Sequence, residues 1–197
     1  MTLNYPAGAT PLDPDEAEGL RLTHITTREE LNLFEAENIR EGMLWALRSR
    51  SKVMVSEQFI RQLHKKMFGH VWHWAGNFRT TNKNIGVPQE MIGIALRHLC
   101  EDVNYWIEHE TFSVDEIAVR FHHRLVAMHP FANGNGRHAR MIADLLLQKK
   151  LGAVPFSWGG VDITKVNECR EAYIRSLQSA DRGDYSQLLD FVRSEYE

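Results

Sequence analysis

The stretch His129-Pro-Phe-Ala-Asn-Gly-Asn-Gly-Arg-His-Ala-Arg140 constrains this fold most, because it makes two helical segments meet at a tight loop. The preceding segment, 113–128, opens with the capping box Ser113-Val-Asp-Glu116 and continues with apolar residues at helical spacing. The following segment, 137–151, also carries its apolar residues on one face. A residue before proline is pushed out of the α region. We therefore expect His129 to end the first helix, with its ring facing a cleft.

The loop itself has the features of an anion site. Gly134-Asn135-Gly136 can adopt backbone angles that turn successive amides toward one point, at the N-terminus of the second helix. Arg137 and Arg140 are three residues apart, so both can grip phosphate oxygens from one helix face. With His129, this arrangement predicts phosphate-centred group transfer. The alternative is a Gly-Asn turn between core helices that has a histidine beside it by chance.

The pattern His-x-Phe-x-(Asp/Glu)-Gly-Asn-Gly-Arg-x-x-Arg is the signature of Fic-domain proteins, the Fic/DOC family, and this stretch resembles it at every fixed position but one. The resemblance extends over most of the chain, which looks closest to the bacterial group called mobile mystery protein B. It implies that His129 is the general base for a target hydroxyl, which attacks the α-phosphate of ATP. AMP is then left on Ser, Thr or Tyr of a target protein. The phosphates would be bound by Gly134, Asn135, Gly136, Arg137 and Arg140.

The one departure from the signature is Asn133, where the family more often has an acidic residue that holds Mg²⁺. Magnesium prefers carboxylates and water, and phosphoryl transfer depends on neutralisation of charge. An amide oxygen at Asn133 can ligate the metal but adds no charge. The departure leaves three options: a slower transferase, a different metal demand, or a related nucleotide reaction.

Composition indicates one soluble domain. The 197 residues are 43% hydrophobic, enough for one well-filled core, and we expect a lead-in at 1–22 and a single Fic domain at 23–197. The net charge of −3 gives no nucleic-acid footprint, and no window is long and apolar enough for a membrane span. Two cysteines and no signal peptide are typical of a cytoplasmic protein. We therefore expect no nucleic-acid or membrane partner.

An N-terminal helix is predicted over 27–50 from the capping box Thr27-Arg-Glu-Glu30 and the apolar spacing that follows. Within it, Glu37-Asn38 resembles the end of the family's inhibitory pattern, (Ser/Thr)-x-x-x-Glu-(Gly/Asn), although Leu33 stands at the Ser/Thr position. The resemblance implies that Glu37 pairs with Arg140 and restrains the enzyme. The alternative is that Glu37 lies on an ordinary solvated helix face.

The stretch 72–87 contains glycines, asparagines and threonines that break helical periodicity and favour a short hairpin. Next to the Fic signature it resembles the family's flap, which pairs with the backbone of the target protein. The residues that would dock the target are Gly76, Phe78, Arg79, Thr80, Thr81 and Ile85. The nearby histidines His64, His70 and His73 lack a zinc-binding grouping and are expected to be structural.

We predict an all-α fold, a compact Fic-type bundle of about seven or eight helices with one small β-hairpin, the flap. By resemblance, Tyr173 and Asp181 would shape the adenosine pocket, though a core-edge tyrosine and a helix-ending aspartate explain them as well. The function implied is protein AMPylation with ATP and Mg²⁺. Alternatives are transfer of another nucleotide or phosphate moiety, removal of AMP, or a weakly catalytic, toxin-like nucleotide-binding regulator. The resemblance also implies a helix-turn-helix partner protein.

Overall fold

The computed structural model describes residues 13–25, 27–51, 53–160 and 168–195. Within these ranges seven α-helices have eight residues or more, and a one-turn helix, α1 (Pro14–Ala17), precedes them. The seven are α2 (Arg28–Arg48), α3 (Glu57–Phe68), α4 (Ile92–Glu108), α5 (Val114–Met128), α6 (Asn135–Leu146), α7 (Glu168–Ala180) and α8 (Ser186–Arg193). The predicted all-α class and number of helices are therefore confirmed. None of the described helices is long and apolar enough to cross a membrane.

Local capping explains where several helices begin. The hydroxyls of Thr27, Ser56 and Ser113 each accept a hydrogen bond from the backbone N–H three residues later. Each such cap stabilises a helix by about 1 kcal/mol. At the other end of α2, the Lys149 ammonium donates to the carbonyls of Ala46, Leu47 and Ser49. Lys149 lies in a five-residue π-turn, Leu147–Leu151, that extends α6 and so ties α6 to the end of α2.

Two apolar clusters form the core. The larger one lies among α3, α4, α5 and α6 and is centred on fully buried side chains such as Phe68, Phe121 and Phe131. The second lies under α7 and α8 and includes Tyr173 and Phe191. Helix α5 packs against α4, α6 and α8. The loop between α5 and α6 is therefore held by helices from both clusters.

The structure does not confirm the predicted hairpin at 72–87. Residues 73–88 form turns and bends, and the described residues contain only two isolated β-bridges, Leu20 with Trp72 and Gly159 with Glu195. The physical reason is the buried side chain of Arg79. Its guanidinium donates to the carbonyls of Thr81 and Val87. These side-chain bonds replace the backbone bonds that two paired strands would form.

The backbone of this region pairs with the end of α5 instead of with itself. We call residues 76–87 the flap segment. The N–H of Arg79 donates to the Pro130 carbonyl at 2.9 Å, and that of Val87 donates to the Met128 carbonyl at 3.3 Å. On the other side, the buried Lys83 ammonium pairs with Asp13 and Glu16, so α1 also holds the flap segment. The flap segment is thus a loop braced by side chains against the residues that flank His129.

Candidate active site

His129 caps the C-terminus of α5 in a left-handed conformation, with φ 52° and ψ 59°. Its backbone carbonyl accepts a 2.7 Å hydrogen bond from Arg79 Nε. Its ring Nδ1 lies 3.0 Å from the Val126 carbonyl oxygen. Because a carbonyl can only accept, Nδ1 carries the ring proton and Nε2 carries the lone pair. The fold therefore fixes the tautomer in which Nε2 is the basic nitrogen.

The surroundings of His129 keep its ring neutral. Burial lowers the pKa of His129 to about 4, the bond to the Val126 carbonyl raises it in part, and the charges of Arg79 and Lys83 lower it further. Only 9% of the residue is exposed. At pH 7 the ring is therefore unprotonated at Nε2 and able to accept a proton, as a general base must be.

The loop after His129, residues 131–136, is here called the anion loop. The buried Asn135 side chain closes it, because its Oδ1 accepts from Phe131 N–H at 2.9 Å and its Nδ2 donates to Phe131 O at 2.8 Å. Gly134 caps α6 with φ 78°, and a Cβ there would lie 2.5 Å from the Phe68 ring. Asn135 thus braces the loop with its side chain, and the last two residues of the anion loop are the first two of α6.

The structure corrects the role predicted for the second glycine of the loop. Gly136 lies in the first turn of α6 and is not among the glycines with positive φ. A Cβ there would meet only the guanidinium of Arg140, at 3.6 Å. Backbone freedom is therefore required at Gly134, whereas Gly136 keeps space open beside Arg140.

The two arginines of the motif have different surroundings. Arg137 donates from its NH1 to Glu35 Oε2 at 2.7 Å, and its guanidinium lies over the Phe68 ring. Arg140 lies 5.6 Å from the centre of the Tyr173 ring and forms no ion pair with a carboxylate in the part of the chain that the structure describes. Glu35 therefore neutralises Arg137, and Arg140 is the arginine whose charge is available to an anion at the N-terminus of α6.

Asn133, the expected metal ligand, directs its side chain oxygen toward two donors. Asn133 Oδ1 accepts from the Gly134 N–H at 2.7 Å and from Arg137 NH2 at 3.3 Å. A magnesium ion at this oxygen would have to displace an amide hydrogen and a cationic guanidinium. Over the described ranges, moreover, no group of three or more His, Cys, Asp or Glu side chains could hold a metal. This donor set does not fit Mg²⁺, and magnesium binding stays a prediction.

Comparison with known proteins agrees with this geometry. Residues 54–147, which include α3 to α6, match the model of the Fic/DOC family. This stretch is a Fic/DOC family domain. His129 to Arg140 is accordingly its Fic motif, and the flap segment lies within the matched region.

Among curated relatives, protein adenylyltransferase fic-1 of Caenorhabditis briggsae is 30% identical over 155 residues, 75% of this chain and 28% of that protein. The solved structure of Fic-1 (residues 134–508) from C. elegans is 26% identical and has a TM-score of 0.65, covering 89% of this chain and 51% of that one. BepC with bound AMPPNP from Bartonella tribocorum has a TM-score of 0.65 at 17% identity, over 96% and 93% of the two chains. The chain thus spans little more than a quarter of the curated relative.

The residues predicted to dock a target divide into braced and exposed ones. Gly76 and Arg79 are buried, and the Gly76 carbonyl accepts from Arg61 Nε at 3.0 Å. The Thr81 hydroxyl donates to Asp13, and Phe78 is half-buried. The exposed members are Thr80 and Ile85. Docking of a target on the flap segment stays a prediction, and these two side chains are the ones accessible to it.

The predicted ion pair between Glu37 and Arg140 is not formed. Glu37 is exposed and pairs with Arg40 on its own helix. Asn38 is buried, where its Nδ2 donates to Lys66 O and its Oδ1 accepts from His70 N–H, so it ties α2 to the end of α3. The alternative assignment, an ordinary solvated helix face, describes Glu37 in this structure.

Glu35, two residues earlier, is the carboxylate that reaches the Fic motif and that sequence reasoning missed. It is 3% exposed, and its second oxygen accepts from Trp72 Nε1 at 2.7 Å. One signal for it was present. Glu35 follows Leu31 by four residues, which places it on the apolar stripe of α2, whereas Glu37 falls on the other side of the helix.

The two residues predicted for the adenosine pocket differ in their relation to the motif. Tyr173 is buried next to Arg140, and its hydroxyl lies 3.0 Å from His122 Nε2. Asp181 is largely exposed and bonds to His123 Nε2 at 2.8 Å. The structure thus brings Tyr173 to the motif and holds Asp181 on His123, and the adenosine pocket itself stays a prediction.

Proposed function

We propose that this protein is a protein adenylyltransferase that transfers AMP from ATP to a Ser, Thr or Tyr hydroxyl of a target protein. The observation that carries the proposal is the state of His129. Its ring is neutral, its tautomer is fixed with the lone pair on Nε2, and it stands where the chain enters the anion loop. Such a base can take the proton of a hydroxyl that attacks a neighbouring electrophile, and the α-phosphorus of an ATP bound at the anion loop would be that electrophile.

The chemistry follows from the positions of these groups. The hydroxyl proton moves to His129 Nε2 while the hydroxyl oxygen forms a bond to the α-phosphorus of ATP. The bond from the α-phosphorus to the bridging oxygen breaks, and pyrophosphate leaves. The N-terminus of α6 and the guanidinium of Arg140 face the developing negative charge. Gly136 leaves room for the phosphates beside that guanidinium.

The curated relatives support the nucleotide and the reaction class. The C. briggsae relative is named a protein adenylyltransferase, and its match covers 75% of this chain. Since this chain spans 28% of that protein, its own activity and targets are proposals.

Labelling with ATP carrying the isotope at either the α- or the γ-phosphate tests the reaction. AMP transfer labels the protein itself or a lysate protein when the ATP carries its isotope at the α-phosphate. It gives no labelled protein when the isotope is at the γ-phosphate. Transfer of a terminal phosphate gives the opposite pattern. His129→Ala should lose the ~10²–10⁴-fold contribution of a general base while the fold persists. His98→Ala, a change at an exposed helical histidine, is the matched control. Equal labelling by the His129→Ala protein and the wild type would refute the assignment.

One observation favours a second function, that of a nucleotide-binding regulator with little catalysis. Asn133 brings no charge to the loop, and its oxygen is already bound to Gly134 and Arg137. ATP calorimetry and label transfer, measured on the same protein, separate the two functions. A regulator binds ATP and transfers no label, whereas a transferase does both.

A further inference from the structure

His64 of α3 joins the flap segment to the anion loop through its two ring nitrogens. The Gly76 N–H donates to Nδ1 at 3.0 Å, and Nε2 lies 3.0 Å from the Asn133 carbonyl oxygen. The ring is completely buried and stacks on Phe131 with 3.7 Å between centroids. A single side chain therefore contacts both segments on which the proposed reaction depends.

The two bonds fix the state of the ring. Nδ1 must be unprotonated to accept from Gly76, and Nε2 must carry the proton to donate to the Asn133 carbonyl. Burial lowers the pKa of His64 well below its ordinary value, and the nearby positive charge of Arg137 acts in the same direction. Both bonds are therefore present together only in this one neutral tautomer.

The bonded atoms lie at sensitive points of the two segments. Gly76 begins the flap segment, with φ 82°, and its carbonyl is also held by Arg61 of α3. Three residues later, Arg79 bonds to the carbonyls of His129 and Pro130. At the other nitrogen, Asn133 immediately precedes Gly134, which caps α6. A shift at either bond is thus passed directly to the base or to the phosphate-binding turn.

We propose that His64 is a positioning residue that sets the distance between the segment that docks the target hydroxyl and the loop that binds the nucleotide phosphates. The inference rests on the proposed function, and it goes beyond it by assigning a role to a residue outside the Fic motif. The simpler account is a core histidine that satisfies two buried polar groups. Under that account, replacing His64 lowers the stability of the fold and nothing else. Under a positioning role, loss of the bond to Gly76 and loss of the bond to Asn133 change different properties of the protein.

Two substitutions separate the bonds. In His64→Asn, the Oδ1 atom can still accept from Gly76 but the donor to Asn133 is lost. In His64→Gln, the amide nitrogen reaches the ε position and can still donate to Asn133, but the acceptor for Gly76 is lost. Amide hydrogen exchange at Gly76 and at 133–137, together with ATP calorimetry, follows each bond by itself.

The expected results are opposite for the two variants. His64→Asn should keep the Gly76 amide protected and lower ATP affinity about three- to tenfold, the effect of one hydrogen bond. His64→Gln should keep ATP affinity within about twofold and speed exchange at Gly76, with slower label transfer at saturating ATP. If both variants lose both properties in proportion to their loss of thermal stability, or if neither property changes, the proposal is overturned.

The wild-type protein offers a test that does not depend on the folding of a variant. ATP bound at the anion loop should slow exchange at Gly76 through His64 and leave the Gly69 amide unchanged. Gly69 ends the same helix and bonds to Lys65. Equal effects at the two amides, or none at Gly76, would contradict the coupling. Exchange and calorimetry do not require AMP transfer, so absence of labelling would count against the proposed function and leave this test intact.

Discussion

Replacing Gly86 by alanine should displace His129 while leaving every residue of the Fic motif unchanged. Gly86 belongs to the flap segment and has φ 99°. A Cβ there would lie 2.8 Å from His129 Cβ, 2.9 Å from the Met128 carbonyl oxygen and 2.9 Å from the guanidinium of Arg79. Two of the three neighbours are backbone or a Cβ, so they can move only if the chain moves with them.

The size of the effect follows from these distances. Ordinary contact begins at 3.4 Å, so His129 must retreat by about 0.6 Å or the flap segment must lift by that amount. A misplacement of 1 Å in a reacting group can cost ~10²-fold in rate, so we expect a loss of roughly 10- to 10²-fold. Left-handed backbone at alanine also destabilises the fold by about 1–2 kcal/mol.

Gly183→Ala is the matched control for Gly86→Ala. Gly183 has φ 90° and no atom within 4 Å of a built Cβ, so it bears the backbone penalty without the clash. Both variants should lower the melting temperature, and only Gly86→Ala should slow transfer from α-labelled ATP at saturating nucleotide. A Gly86→Ala enzyme as fast as the Gly183→Ala enzyme would show that the flap segment does not position His129.

Three further predictions concern charge. Glu35→Gln should raise the ATP affinity measured by calorimetry several-fold, because it frees Arg137, whereas Glu37→Gln should leave that affinity unchanged. If Glu37→Gln raised the affinity and Glu35→Gln did not, the inhibitory role predicted for Glu37 from the sequence would be the better account. Asn133→Asp should lower the Mg²⁺ concentration for half-maximal labelling, and an unchanged requirement would place the metal elsewhere. The free energy of unfolding, measured with denaturant, should fall as the pH is lowered from 6.5 to 4. The fall is up to about 1.4 kcal/mol per pH unit for each buried histidine, because the histidine binds a proton in the unfolded chain and stays neutral in the fold. Asp144, whose pKa burial raises to about 6, opposes this trend, and a flat profile would contradict the histidine assignment. Burial lowers the pKa of four histidines, His64, His122, His129 and His138, and for the last three it lies at about 3, 4 and 4.

The features that sequence predicted correctly are local ones. A capping box such as Ser113-Val-Asp-Glu116 contains its own donor and acceptors, so it forms wherever the rest of the chain lies. The turn at His129-Pro130 is equally local, since proline restricts the residue before it. The start of α5 and the position of His129 could therefore be read from a few neighbouring residues.

The features that sequence missed depend on partners far along the chain. The loop conformation of the flap segment comes from Arg79, whose guanidinium reaches a carbonyl 50 residues away. The choice of Glu35 over Glu37 depends on Trp72 and Arg137, which are 37 and 102 residues distant. Glu35 lies on the apolar stripe of α2, whereas the assignment of Glu37 rested on the match of Glu37-Asn38 to a family pattern. A short motif shared with a family does not fix which face of a helix packs inward.

The left-handed backbone at His129 has a consequence for evolution in the laboratory. A non-glycine residue at φ 52° lowers the stability of the fold by about 1–2 kcal/mol. Glycine avoids this cost, and asparagine adopts the left-handed conformation more readily than most residues. His129→Gly should therefore be closer to the wild type in thermal stability than His129→Ala, although both lose the base. A library selected only for heat resistance would therefore accept glycine or asparagine at this position more readily than alanine, and the accepted variants would be inactive. Stability screens of this protein therefore need a concurrent selection for activity.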